Sequence, residues 1–178
     1  MPSVSDTTAS RLVLRAPTMS DEEQVRAGHA ELTAESFPYL FHPELPWGEQ
    51  LDRIDREARG LDLPPGRVRA EYLVAEVGTD LVGRVSIRHC LTPVLLEIGG
   101  HVGYAVRPAF RGRGYATAML RHSLDRLALL GVTEVLVTCD DDNVASATVI
   151  ERCGGVLEDV RRLADEAPPT RRYWISNA

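Results

Sequence analysis

RPAFRGRGYATAML, residues 107–120, joins an apolar run, HVGYAV (101–106), to a helical pattern, ATAMLRHSLDRLALLG (116–131). Arg111, Gly112, Arg113 and Gly114 are thus gathered where a strand turns into a helix. A helix N-terminus presents backbone N–H groups without intrahelical acceptors and carries about half a positive charge from its dipole. An anion placed there gains hydrogen bonds and electrostatic stabilisation together. Glycine permits close backbone approach, and arginine forks onto phosphate oxygens in a way an ammonium group cannot. The stretch reads either as a surface turn with solvated charges or as a cradle for phosphate.

On the N-terminal side of this turn, RLVLRAPT (11–18) alternates as a strand, and SDEEQVRAGHAEL (20–32) opens a helix with a capping residue and an acidic first turn. A loop rich in proline and aromatic residues (Phe37, Tyr39, Phe41, Trp47) leads to a short helix, EQLDRIDREAR (49–59), and to the loop GLDLPPGR (60–67). AEYLVAEV (70–77) and LVGRVSIRHC (81–90), separated by GTD, have the pattern of a β-hairpin, and IGGHVGYAV (98–106) reads as a third strand. On the C-terminal side, apolar residues at Ala116, Met119, Leu120, Leu124, Leu127 and Leu130 form one helical face, which Gly131 ends. EVLVTCD (134–140) is a strand, DDNVASATVIERCGG (141–155) a capped helix, and GVLEDVRRL (155–163) and RRYWIS (171–176) are two final strands. This order predicts an α+β fold: a mixed, mostly antiparallel, twisted sheet flanked by helices.

The chain of 178 residues has the length of one domain, expected over 11–178 after a polar tail at 1–10. Hydrophobic residues make up 44% and charged residues 26%, the balance of a globular protein. The formal charge of −6 argues against a nucleic-acid partner, and no apolar stretch approaches the ~20 residues that span a bilayer, so no membrane partner and no secretion are expected. Cys90, Cys139 and Cys153 are odd in number and form no C-x-x-C pair; a cytoplasmic location and no metal site fit best. All 20 basic residues are arginine, which removes a Walker-type lysine and Schiff-base chemistry.

Two ligand classes suit the 107–120 turn. A dinucleotide fingerprint wants G-x-G-x-x-G, but Thr117 holds the third place, and the turn follows a meander instead of opening a parallel sheet. The better match is to a family. RGRGYA resembles the Arg/Gln-x-x-Gly-x-Gly/Ala signature of the GCN5-related N-acetyltransferase (GNAT) superfamily, with Arg111, Gly114 and Ala116 in the marked places. NVASATVIERCGG (143–155) resembles the next motif of that superfamily through Asn143, Ser146 and Gly154, and the meander agrees, so the likeness spans about residues 11 to 176. With Ile150 where a Tyr is common, the chain also resembles the ribosomal-protein N-terminal acetyltransferase-like branch, which likewise lacks that Tyr.

The resemblance implies the acyl-CoA N-acyltransferase fold and acetyl-CoA as acetyl donor. Its pyrophosphate would rest on the amides of Gly112, Arg113, Gly114 and Ala116, with Arg111, Tyr115 and Thr117 beside them. The strand through Tyr104, Ala105 and Val106 would pair with the pantetheine arm, and Asn143 and Ser146 would line the far side of the gap. The acceptor would be a small-molecule amine or a peptide N-terminus, and a homodimer is open. A catalytically silent acyl-CoA-binding or regulatory module on the same fold is the alternative.

Acetyl transfer needs a neutral amine. A lysine-like amine is only roughly one part in two thousand neutral at pH 7, an α-amino group about a tenth. Glu97 and His101 fall on alternate positions of the expected third strand, facing one way, and are the candidate bases; a hydrogen-bonded structural histidine is the other reading of His101. Two departures from the family pattern touch the general acid: Ile150 stands where a Tyr is common, and Gly155 where a Phe usually follows the helix-ending Gly. Cys153, Tyr104, Tyr115 and Tyr173 are the remaining candidates. By family position the aromatic loop around Phe37–Trp47 would shape the acceptor pocket; it equally well caps the core.

Overall fold

The computed structural model describes residues 11–162 and 168–177; the expected polar tail lies outside them. β1 (Val13–Arg15) leads through a single 3-10 turn into α1 (Glu22–Thr33), which the aromatic loop joins to α2 (Trp47–Arg59). The hairpin β2 (Ala70–Val77) and β3 (Asp80–Arg88) is followed by α3 (Pro93–Glu97), β4 (Val102–Val106), α4 (Tyr115–Leu129), β5 (Glu134–Asp140), α5 (Val144–Arg152), β6 (Val156–Arg161) and β7 (Thr170–Ser176).

The strands form two antiparallel sheets, β1-β2-β3-β4 and β5-β7-β6. In the first, Leu14 lies opposite Ala75 and Val85 opposite Tyr104; in the second, Val137 lies opposite Tyr173. Because side chains alternate along a strand, each sheet face gathers its own core. Tyr72, Val74 and Ala105 pack with Val25, Leu32, Tyr39 and Trp47 from α1, the aromatic loop and the start of α2. On the other face Val85, Ile87 and Val102 pack with Leu120, Leu124 and Leu127 of α4 and Val135 and Val137 of β5.

The two sheets touch where β4 begins. The His101 N–H donates to the Leu136 carbonyl at 2.7 Å, and the Leu136 N–H donates to His101 Nδ1 at 3.0 Å. No ladder joins β4 to β5 beyond that point among the described residues. Each strand therefore presents a free edge to the other.

The expected third strand over 98–106 is corrected: its first part is not strand. Thr92 Oγ1 accepts from the Leu95 N–H at 3.2 Å, Pro93 fills the first helical position, and the capped turn α3 forms before Gly99 (φ 102°) and Gly100 (φ 56°) reverse the chain. Gly100 is required by contact: a Cβ there would lie 2.4 Å from the Leu136 carbonyl oxygen. The capping signal at Thr92–Pro93 thus prevails over the apolar pattern.

Candidate active site

The turn before α4 is built to leave backbone bare. Gly112 (φ 75°) and Gly114 (φ 81°) take the left-handed conformation, and no atom lies within 4 Å of where a Cβ would stand on either. Gly114 caps the helix with no side-chain bond to its first amides. The first intrahelical donor is the Ala118 N–H, which reaches the Gly114 carbonyl at 3.0 Å; among the described residues the amides of Gly112, Arg113, Gly114, Tyr115, Ala116 and Thr117 have no acceptor. Six N–H groups without an acceptor are thus gathered at the positive end of a 15-residue helix.

Its two arginines differ. Arg111 does not stand ready for phosphate, as the sequence suggests: its guanidinium is clamped to Glu35 at 3.0 and 2.6 Å, and its Nε donates to the Val106 carbonyl at 3.1 Å. This ties the turn to the end of α1 and to the last residue of β4. Arg113 has no carboxylate partner among the described residues; it lies over the Phe110 ring and donates to the Ala109 carbonyl at 3.2 Å.

Behind the turn, Tyr104 of β4 and Ser146 of α5 meet across the gap between the sheets, their hydroxyl oxygens 2.9 Å apart. Asn143 caps α5, its Oδ1 accepting from the Ser146 N–H at 3.0 Å, so the Asn-x-x-Ser spacing fixes the serine that faces Tyr104. Burial holds the Tyr104 hydroxyl well above the ordinary phenol range, so it keeps its proton at neutral pH. Cys139 lies beside it, pushed up to about 11 by burial. Ala105 and Val106 complete the free edge of β4. Of the other acid candidates, Tyr173 is buried and donates to Glu151 at 3.0 Å, and the Cys153 thiol, which also neighbours Tyr104, is directed at the Thr117 carbonyl.

The two departures from the family pattern are one packing arrangement. Ile150 is fully buried, and a Cβ on Gly155 would lie 2.5 Å from its Cγ2. The bare glycine makes the room that the branched side chain fills.

The two candidate bases are not neighbours on one strand face. Glu97 ends α3 and is bonded to Arg161 at 2.5 Å. His101 is buried, spends Nδ1 on the Leu136 amide, and is lowered to about 4, first by burial and then by Arg88. It is a neutral ring that bridges the two sheets.

Residues 11–156 match the acetyltransferase (GNAT) domain family. The chain belongs to this family. An L-2,4-diaminobutyric acid acetyltransferase of Nocardia farcinica (strain IFM 10152) is 30% identical over 157 residues, which cover 75% of this chain and 77% of that protein. Among solved structures, spermidine N-acetyltransferase from Vibrio cholerae, in complex with CoA and spermine, aligns with a TM-score of 0.67 at 17% identity over 94% of this chain and 96% of the other. The Salmonella typhimurium acetyl transferase that modifies the N-terminal serine of ribosomal protein L7/L12 aligns with a TM-score of 0.67 at 18% identity over 93% and 94%. At those identities the structures establish the shared fold.

On this GNAT fold the face of β3 and β4 opposite α4 carries a group of residues that the motifs do not mark. A cavity of about 550 Å³ opens between α2, the 61–67 loop and the sheet, with Phe41 and Tyr72 among its walls. The aromatic loop therefore both lines a cavity and supplies core residues. Arg84, opposite Ala105 on β4, is 2% exposed and enclosed by the rings of Phe37, Phe41 and Tyr72 at 4.7, 5.1 and 5.6 Å. Its bonds go to the carbonyls of Pro38 and Gly103, and its Nε has no partner. Arg88, two same-face positions further along β3, donates to the carbonyls of Gly99 and Gly100 at 2.9 and 3.1 Å. The period-2 spacing of Arg84, Ser86 and Arg88 in LVGRVSIRHC is the signal that places these polar residues on one face of a strand.

Proposed function

We propose that the chain is an N-acetyltransferase that takes acetyl-CoA as donor and transfers the acetyl group to a primary amine, of a small molecule or a peptide N-terminus, by direct attack in a ternary complex. The observation that carries the reading is the row of unpartnered amides from Gly112 to Thr117 at the head of α4, with open space beside Gly112 and Gly114. These amides would hold the pyrophosphate, with Arg113 as the adjacent cation and Arg111 holding the turn in place. The edge of β4 at Tyr104, Ala105 and Val106 would pair with the pantetheine arm as an added strand does, opposite Asn143 and Ser146.

When bound, acetyl-CoA supplies a thioester: the C–N bond to the neutral amine forms, the C–S bond breaks, the attacking nitrogen gives up one proton to water, and the thiolate takes up one proton. Tyr104 would hold that proton, since its Oη faces the gap, is paired with Ser146, and stays protonated at neutral pH. His101, at about 4, is a poor acceptor of an ammonium proton. The amine would therefore lose its proton to water before attack, and His101 would serve as the pin that closes one end of the gap. The cysteines, all free, fit a reducing cytoplasm.

The test is release of free CoA thiol from acetyl-CoA over a panel of amines, with Gly114→Val as the folded control. Thiol release that depends on an amine and is lost in Gly114→Val supports the reading. Tight acetyl-CoA binding without turnover on any amine would leave the silent-module alternative.

A further inference from the structure

The face of β3 opposite α4 holds two guanidinium groups, Arg84 and Arg88, that no acid neutralises among the described residues. Two acids line the cavity beside α2, and both are taken: Glu57 pairs with Arg67 at 3.1 Å, and Asp62 pairs with Arg56. Arg53 lines the same cavity but also faces Glu44, Glu49 and Asp52 of the adjoining hollow, so its charge is met by acids there. Beneath the aromatic wall, Arg84 and Arg88 bond only to backbone carbonyls, with no carboxylate partner among the described residues. Guanidinium groups are rarely buried unless paired, and the cost of leaving one unpaired falls when an anion arrives from outside. In a chain of net charge −6, Arg84 and Arg88 are two neighbouring cations without counter-ions.

The two arginines flank one point on β4. Arg84 reaches the Gly103 carbonyl at 3.5 Å. A Cβ on Gly103 would meet nothing closer than Arg88 Nη1 and Nη2, both at 3.9 Å. The missing side chain leaves room over β4 between the guanidiniums, one residue before Tyr104. An amine destined for the gap at Tyr104 would pass this point.

We infer that the acceptor is an amine that also carries a carboxylate, an amino acid rather than a polyamine, with its carboxylate received over Gly103 by Arg88 in the field of the buried Arg84. The inference rests on the N-acetyltransferase reading and goes beyond it by naming the acceptor class. Arg88 is half-buried and makes the contact. Arg84 is a positioning residue, a fixed cation behind Phe41 and Tyr72.

The experiment compares acceptors that differ only by the carboxylate: L-2,4-diaminobutyrate against 1,3-diaminopropane, and L-lysine against cadaverine, with spermidine included. Thiol release gives kcat/KM, and calorimetry of L-2,4-diaminobutyrate and 1,3-diaminopropane into the CoA-saturated protein gives binding. The carboxylated member of a pair is expected to lead by roughly 10- to 100-fold in kcat/KM, the size of a charge-assisted hydrogen bond. Arg88→Gln is expected to bring that ratio towards one through KM, with the affinity for acetyl-CoA held. Arg84→Met should reduce the ratio as well, and Arg84→Lys should restore part of it. Equal or better turnover of the decarboxylated amines, or a ratio that survives Arg88→Gln, overturns the inference while the N-acetyltransferase reading stands. Carboxylate-selective binding that Arg88→Gln abolishes, without thiol release, upholds the site and sinks the transferase reading instead. Failure of both diamines to bind the CoA-saturated protein, with no turnover of either lysine or cadaverine, also overturns the inference.

Discussion

The head of α4 and the face of β3 opposite that helix are both polar sites on one sheet, and they are made in opposite ways. At the head of α4 the ligand groups are backbone amides, exposed by two glycines, and six consecutive residues make the whole cradle. On β3 the polar groups are side chains, Arg84 and Arg88; Arg84 is enclosed by Phe37 and Phe41, which come from the exit of α1, 47 and 43 positions earlier in the chain, and both arginines bond to carbonyls of the segment that leads into and begins β4. Backbone cannot change identity, so a site made of backbone recognises what a whole family shares. A site made of side chains can be rebuilt for one acceptor.

The comparison breaks most sharply at Gly114. Its φ of 81° suits glycine alone, and a β-branched side chain would stand in the space the amides face. Gly114→Val is expected to weaken acetyl-CoA binding by about 100-fold or more, as several charge-assisted hydrogen bonds are lost together, while circular dichroism stays that of the parent. Parent-like affinity in a folded variant would place the coenzyme elsewhere.

Tyr104 tests whether the gap between the sites holds a working acid. Tyr104→Phe keeps the ring and loses the hydroxyl opposite Ser146, so kcat is expected to fall by about 10- to 100-fold, towards the lower range for proton transfer by a positioned group, with KM for acetyl-CoA little changed. An unchanged kcat would return the acid role to water.

His101 sharpens the comparison in stability. His101→Ala strands the buried Leu136 amide and is expected to cost about 1–3 kcal/mol in chemical denaturation, whereas His101→Asn offers Oδ1 near the Nδ1 position and should recover part of that. The imidazole falls from 6.5 to about 4 on folding, so below pH 6.5 the unfolded chain binds a proton that the folded chain refuses until about pH 4. Its contribution is full above pH 6.5 and is lost as the pH falls through this window. His101→Asn should flatten that part of the stability profile. Because the ring is a poor base, the activity limb above pH 7 should persist in His101→Asn; loss of that limb alone would reinstate His101 as base.

The smallest effect is expected at Arg111. Glu35 already holds its guanidinium and the amides remain, so Arg111→Ala should weaken acetyl-CoA by less than about tenfold, with part of that loss reproduced by Glu35→Gln. A larger loss than in Gly114→Val would make Arg111 the main phosphate contact.

The sequence by itself determined what is local or periodic. The strand, glycine turn and helix from 101 to 131 follow from an alternation that gives way to a 3.6-residue period across glycines, and the Asn143-to-Ser146 cap follows from a side chain that reaches three residues ahead. The family resemblance lived in those same segments, which is why it could be read. Even local rules misled once, at 93–97, where Thr92 and Pro93 make a helical turn from residues whose apolar pattern suggests strand. Only the tertiary structure decided the fate of side chains whose partners lie far along the chain. Arg111 turned from a ligand group to a clamp because Glu35 is 76 residues away in sequence and 2.6 Å away in space. His101 became a pin because Leu136 closes the sheet upon it. Arg84, in an otherwise hydrophobic strand, became a buried cation because three rings from distant segments and its own sheet close around it. Backbone conformation is fixed largely by each residue and its near neighbours, whereas desolvation and pairing depend on what packs against a side chain, and no spacing in the sequence carries that information.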